Sequence, residues 1–216
     1  EVILVSSGAI GLGMGKLGLM DRPKDTPGKQ ACAAVGQCEL MYLYDNLFSE
    51  YSITVAQLLL TKYILLEDRR KNVENALERL ISQGVIPVVN ENDTVAIDEL
   101  ELEMGENDSL AAVVATIANA DLLIIMSDID GLYDSDPRQN PDAKMIPVVR
   151  EISEDIHAVA GGAGTKFGTG GMATKIHAVE IAYESDIDVV LMNGQHPKKL
   201  YELFEDKPVG TLFHKG

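Results

Sequence analysis

The stretch Glu67–Asp93, EDRRKNVENALERLISQGVIPVVNEND, contains a helix, a stop, a strand and a polar terminus in succession. Val73, Ala76, Leu77, Leu80 and Ile81 recur at i, i+3, i+4, i+7 and i+8, the stripe that an α-helix lays against a core. That pattern predicts a helix over Glu67–Gln83, ended by Gly84. Val85-Ile86-Pro87-Val88-Val89 is apolar and β-branched without alternation, which predicts a strand covered on both faces. Four polar residues, Asn90-Glu91-Asn92-Asp93, then follow its end.

The same pattern extends in both directions. Val2–Val5, Ile53–Leu59, Leu122–Met126 and Ile187–Met192 read as further buried strands. Helical spacing recurs from about Gly28 to Tyr51, in Leu110, Val113, Val114 and Ile117, and in Met172, Ile176, Val179 and Tyr183. Alternating strands and helices predict an α/β fold with a mainly parallel sheet covered on both sides. The Pro-, Asp- and Asn-rich run Asp134–Asp142 reads as a surface excursion from one sheet, not as a domain boundary.

Composition narrows the function classes. With 216 residues, 46% hydrophobic and 24% charged, the chain can bury the core of one large domain. Lys and Arg total 18 against 34 for Asp and Glu, and a formal charge of −16 repels nucleic-acid phosphates and anionic lipid. No apolar run approaches the roughly 20 residues that cross a bilayer. Cys32 and Cys38, six apart in a helical stretch, suit neither a zinc site nor a disulfide, and a reducing cytoplasmic compartment is expected.

Open α/β sheets bind ligands beyond the carboxyl ends of their strands. After the first strand, Ser6-Ser7-Gly8-Ala9-Ile10-Gly11 lets the backbone turn sharply and present N–H groups at a helix start. Asn90–Asp93 is a cluster that needs partners, which a zwitterionic or amide-bearing ligand supplies. Asn107, Asp108 and Ser109 stand at the N-terminus of the Leu110 helix, more polar groups than one cap requires. Ser127-Asp128-Ile129-Asp130-Gly131 follows the fourth strand without EF-hand spacing. Phe167-Gly168-Thr169-Gly170-Gly171-Met172-Ala173-Thr174-Lys175 offers phosphate unhindered N–H groups, a helix dipole and an ammonium, although it is not a Walker loop. His157, His177, His196 and His214 form no metal motif, no nucleophile elbow is present, and phosphoryl transfer is the chemistry that such loops favour.

In this order, Val5-Ser6-Ser7-Gly8-Ala9-Ile10, Asn90–Asp93, Gly105-Glu106-Asn107-Asp108, Ser127-Asp128, Gly131-Leu132-Tyr133, Gly168–Lys175 and Gly210-Thr211-Leu212-Phe213 resemble the glutamate 5-kinase branch of the amino acid kinase family. The resemblance implies a three-layer α/β/α sandwich and transfer of the ATP γ-phosphoryl group to the side-chain carboxylate of L-glutamate, the first step toward proline. It places Ser7, Asp93 and Asn107 on glutamate, and Ser127, Asp128 and Thr169, Gly170, Gly171, Met172, Ala173, Thr174 and Lys175 on ATP. Lys175 would neutralise charge on the transferring group, and Asp108 would orient the catalytic lysines. ATP with Mg2+, feedback inhibition by proline, and a homodimer or homotetramer are implied likewise. Glu106 stands where the family commonly has Asp. Residues 1–216 are then expected to be one amino acid kinase domain, without the family's N-terminal strand and lysine loop and without a C-terminal PUA domain. A sibling kinase acting on acetylglutamate, aspartate or UMP, and a binding module without turnover, are the alternatives.

Overall fold

The computed structural model describes residues 1–61, 64, 66–95, 107–161, 171–205 and 207–215. The chain divides into two compact units, Glu1–Leu110 and Ala111–Gly216. In order the elements are β1 (Leu4–Val5), α1 (Ala9–Leu17), α2 (Thr26–Ser49), β2 (Val55–Leu60), α3 (Glu67–Ser82), β3 (Ile86–Glu91) and α4 (Asn107–Ile117), then β4 (Leu122–Ser127), β5 (Val148–Val149), α5 (Glu154–Gly161), α6 (Gly171–Glu184), β6 (Asp188–Asn193), α7 (Lys199–Leu203) and β7 (Thr211–Phe213).

In the first unit the strands run in the order β1-β3-β2, all parallel. Val88 and Val89 are adjacent on β3, so their side chains point to opposite faces, and both are fully buried. The sheet is therefore covered on both sides, as the unbroken apolar run predicts. The strand Val2–Val5 is shorter than expected: only Leu4 and Val5 pair, and Val2 is exposed. β3, in contrast, runs two residues past Val89, so Asn90 and Glu91 belong to the strand and not to a loop.

The glycines after β1 also have a different use from the one expected. Gly8 sits at φ 97° and caps α1, whereas Gly11, Gly13 and Gly15 lie inside that helix. A Cβ on Gly13 would stand 1.8 Å from the Cys32 carbonyl oxygen, and one on Gly36 would stand 1.7 Å from that of Ala9. α1 and α2 thus touch backbone to backbone, which only glycine permits. Lys16 on α1 also pairs with Glu39 on α2. Asp25 starts α2 by accepting from the Gly28 N–H at 2.9 Å, with Pro27 in the first turn.

The second unit has the strand order β4-β6-β7-β5, with β4–β6 and β5–β7 parallel and β6–β7 antiparallel. On β6, Val189 and Leu191 join Leu123, Ile125 and Phe213 beneath α6 residues Ile176, Val179 and Ala182. Val190 and Met192 face the other way, against Val209 and the α7 residues Leu200 and Leu203. Helix, sheet and helix make the three layers expected. Thr211, fully buried, joins two loops to β7: it accepts from the Leu132 N–H at 2.8 Å and donates to the Ile146 carbonyl at 2.7 Å. Among the described residues no helix is long and apolar enough to cross a membrane.

Candidate active site

The first unit builds the candidate acceptor side where β1 and β3 part. Leu4 and Val5 pair with Val88 and Val89, and Ser6 makes the last bond, N–H to the Val89 carbonyl at 2.8 Å. β1 then turns through Ser7 and Gly8 into α1, while β3 continues through Asn90 and Glu91. Adjacent parallel strands that diverge at their carboxyl ends leave a crevice there, the place where such sheets take ligands. Ser7 is exposed at its edge, and Ser6 is turned away, bonding the Tyr44 hydroxyl at 2.9 Å.

The polar run at the end of β3 divides by role. Asn90 is 2% exposed and already satisfied: its Nδ2 donates to Gln37 Oε1 at 3.0 Å, and its Oδ1 accepts from the Glu91 N–H at 2.9 Å. Asn92 is tied into the turn by its N–H to the Leu60 carbonyl at 2.7 Å and by accepting from the Thr94 hydroxyl. Asp93 is half-buried, and burial pushes its carboxyl up from the ordinary carboxylate range while the charge of Arg22 pulls it the other way. At the start of α4, Asn107 Oδ1 and Ser109 Oγ are buried without a hydrogen-bond partner among the described residues. Asp108 lies between them in the first turn.

The second unit carries a cleft of about 750 Å3 at the carboxyl end of β4. Its walls bring together Ser127 and Asp128, Gly171, Met172 and Lys175 from the start of α6, and the end of α5. Ser127, Asp128, Gly171, Met172 and Lys175 are the residues that the resemblance implies for ATP, and these five share one cavity. The excursion after β4 supplies the remaining wall, from Tyr133 to Asn140. Its neck is closed by a bridge between Tyr133 and Met145 and by the Asp134 N–H to the Lys144 carbonyl at 3.0 Å. Inside it, Asp136 accepts from the Arg138 N–H at 2.9 Å and from Gln139 Nε2 at 3.0 Å. Asp128 accepts from Ser127 Oγ on one oxygen at 3.2 Å and from Arg138 Nη2 on the other at 3.4 Å.

Arg138 and this excursion were read in sequence as surface and nothing more; the Asp-Pro-Arg run supplied turn signals but no ligand signal. Thr174 donates to the Gly171 carbonyl at 3.2 Å, within its own helix turn. Ala173 lies exposed on that turn. Thr169 and Gly170, and likewise Gly105 and Glu106, lie outside the described residues. Cys32 is buried and Cys38 exposed, both as free thiols. His157 and His177 both meet the Glu180 carboxylate, at 3.1 and 3.4 Å, and His214 meets Asp188 at 2.8 Å. Among the described residues no three His, Cys, Asp or Glu side chains are grouped to hold a metal.

Comparison with known proteins bears on the family and the fold. The model of the amino acid kinase family matches residues 1–193. A glutamate 5-kinase of Clostridium perfringens is 52% identical over 99% of this chain and 80% of its own length. One from Enterococcus faecalis is 48% identical over 100% of this chain and 81% of its own length. The crystal structure of T. acidophilum isopentenyl phosphate kinase in a product complex shares the fold at a TM-score of 0.63 and 19% identity, covering 99% of this chain and 83% of that one. The chain belongs to the amino acid kinase family.

Proposed function

We propose that this protein transfers the γ-phosphoryl group of ATP to the side-chain carboxylate of L-glutamate, giving L-glutamyl 5-phosphate and ADP. The observation that carries the reading is the cleft of the second unit, where Ser127, Asp128, Gly171, Met172 and Lys175 line one cavity at a strand's carboxyl end and the start of a helix. A helix N-terminus with a lysine in its first turns suits a polyphosphate. The acceptor's identity is supported by relatives that bear the name glutamate 5-kinase over nearly the whole chain.

The reaction needs no general base. A glutamate side chain with a pKa of about 4.3 is ionised at neutral pH. One carboxylate oxygen forms the new bond to the γ-phosphorus while the bond from that phosphorus to the bridging oxygen of ADP breaks, and the electron pair leaves with ADP. The barrier is positioning and the repulsion between two anions. Lys175 offsets charge on the transferring group, Asp108 orients the cations around it, and Ser127 and Asp128 hold the nucleotide. Ser7, Asp93 and Asn107 hold the amino acid: Asp93 and the orphaned Asn107 Oδ1 are acceptors, which is what an α-ammonium group requires. Mg2+ bound with the nucleotide would offset charge on its phosphates. Inhibition by proline, a cytoplasmic setting and assembly into dimers or tetramers belong to the same reading.

The test is an acceptor screen. The purified protein with ATP and Mg2+ is offered L-glutamate, acetylglutamate, aspartate or UMP; ADP release is followed, and hydroxylamine traps any acyl phosphate as a hydroxamate. Glutamate-dependent ADP and hydroxamate are expected. Turnover of another acceptor with glutamate inert would reject the reading, and nucleotide binding without turnover of any acceptor would favour a binding module.

A further inference from the structure

The end of β3 is held from behind by a chain of three amides that the reaction does not use. Asn90 on β3 donates to Gln37 on α2 at 3.0 Å, and Gln37 Nε2 donates to Gln57 Oε1 on β2 at 3.3 Å. Gln37 is 8% exposed and Gln57 lies at the surface. The direction of the chain is fixed by the backbone. The Glu91 N–H lies on the part of β3 that has outrun β1, and it donates to Asn90 Oδ1. A backbone N–H can meet only the oxygen of that amide, so Asn90 must turn its nitrogen toward Gln37. Gln37 must then present its oxygen to Asn90, which leaves its nitrogen for Gln57.

We propose that Gln37 is a positioning residue for the acceptor amino acid: by accepting from Asn90 it fixes the strand end from which Asp93 projects, without touching the ligand. This rests on reading Asp93 as an acceptor-binding residue. Two buried amides in mutual contact specify one geometry, and removing one leaves the other unsatisfied where the chain leaves the sheet. The Asn90 amide would then release the Glu91 N–H or seek a new partner, and Asp93, three residues on from Asn90, would lose its fixed origin.

The test compares two substitutions with opposite costs. Gln37→Met keeps the volume and removes the acceptor; Gln37→Glu keeps an acceptor for Asn90 Nδ2, and the exposed Gln57 amide can turn to donate to it, but a charge is buried. Calorimetry on the full chain should show glutamate affinity weakened about fivefold by Gln37→Met and by less than about twofold by Gln37→Glu, with the KM for ATP unchanged in both. The melting temperature should fall more for Gln37→Glu. Equal loss of glutamate affinity in the two variants, or a lower melting temperature with affinity intact in Gln37→Met, would make Gln37 a packing residue only. If Gln37→Met cannot be purified, Gln37→Asn, which draws the amide back by one methylene, is measured for the same weakening. Absence of glutamate binding by the parent protein would instead remove the acceptor reading itself.

Discussion

The two units end their central strands in polar runs of similar composition and use them in opposite ways. After β3, the run Asn90–Asp93 is largely consumed from within: Asn90 by Gln37, Asn92 by Thr94 and Leu60, leaving Asp93 half-buried with its carboxyl pushed up. After β4, the side chains of Ser127 and Asp128 stay at the cleft wall, where among the described residues they are held by each other and by the exposed Arg138. An exposed pair of that kind contributes about 0–1 kcal/mol, so it yields readily to an incoming ligand. A small zwitterion needs a rigid set of few contacts, whereas a long flexible polyphosphate is served by mobile charges around a roomy cavity. What distinguishes the two ends is therefore how many polar groups are already satisfied, not how many there are.

The largest effect that could break this contrast lies on the nucleotide side. Lys175→Ala should lower kcat by on the order of 10²–10³, as loss of a charge acting on the transferring group does, while calorimetric glutamate affinity stays at the parent level. Weakened glutamate binding with kcat intact would mean that Lys175 serves the acceptor. The next effect concerns the scaffold of that cleft. Thr211→Val leaves the Leu132 N–H and the Ile146 carbonyl buried without their shared partner, costing about 1–3 kcal/mol. Melting should drop by several degrees, and Thr211→Ser, which keeps the hydroxyl, should recover most of it. A Val variant as stable as the parent would show that the loops are held by packing alone.

Asp93→Asn sharpens the comparison from the acceptor side, with a smaller and pH-dependent effect. Burial raises the Asp93 carboxyl above its ordinary value of 3.8, the Arg22 charge opposing. Just above that ordinary value the folded state still holds a proton that the unfolded chain has lost. The stability from this preference is complete at acid pH and is lost as pH rises through the raised value. The Asn variant, which cannot ionise, should therefore melt higher than the parent at neutral pH, with the advantage shrinking toward acid pH. Glutamate affinity should fall at neutral pH. An advantage independent of pH would place Asp93 in solvent, outside any crevice.

Much of this was legible in the sequence because long buried strands and periodic helices leave repeating signals. Glu67–Gln83, read from five apolar residues, is a helix over Glu67–Ser82, and the apolar runs before Asn90 and Ser127 are strands. The losses have definite causes. β5 and β7 hold two and three residues, too few for any period to register. α1 carries Gly11, Gly13 and Gly15, which argue against a helix on propensity, and the close approach to α2 that requires Gly13 and Gly36 is a tertiary fact. Asn90 read as a ligand group because its partner, Gln37, is 53 residues away on another element. The wall from Tyr133 to Asn140 reads as surface because only its folding back over the end of β4 turns it into a wall of the cleft.

The smallest expected effect separates two orphaned oxygens in one helix turn. Asn107 and Ser109 both start α4, and each keeps a buried oxygen without a partner among the described residues. Ser109 is fully buried, and the residues one turn on, Ala112 and Val113, are buried and apolar, so its hydroxyl shares the inward face of the helix. Among the described residues that hydroxyl has no hydrogen-bond partner, so Ser109→Ala should leave stability unchanged or raise it slightly. Asn107→Ala should weaken glutamate binding, whereas Ser109→Ala should not alter it, if, as proposed, the amide oxygen receives the ligand's ammonium. Loss of glutamate affinity in Ser109→Ala equal to that in Asn107→Ala would show that both oxygens face the acceptor. The crevice would then extend around the start of α4, and the acceptor side would be as open before binding as the nucleotide cleft.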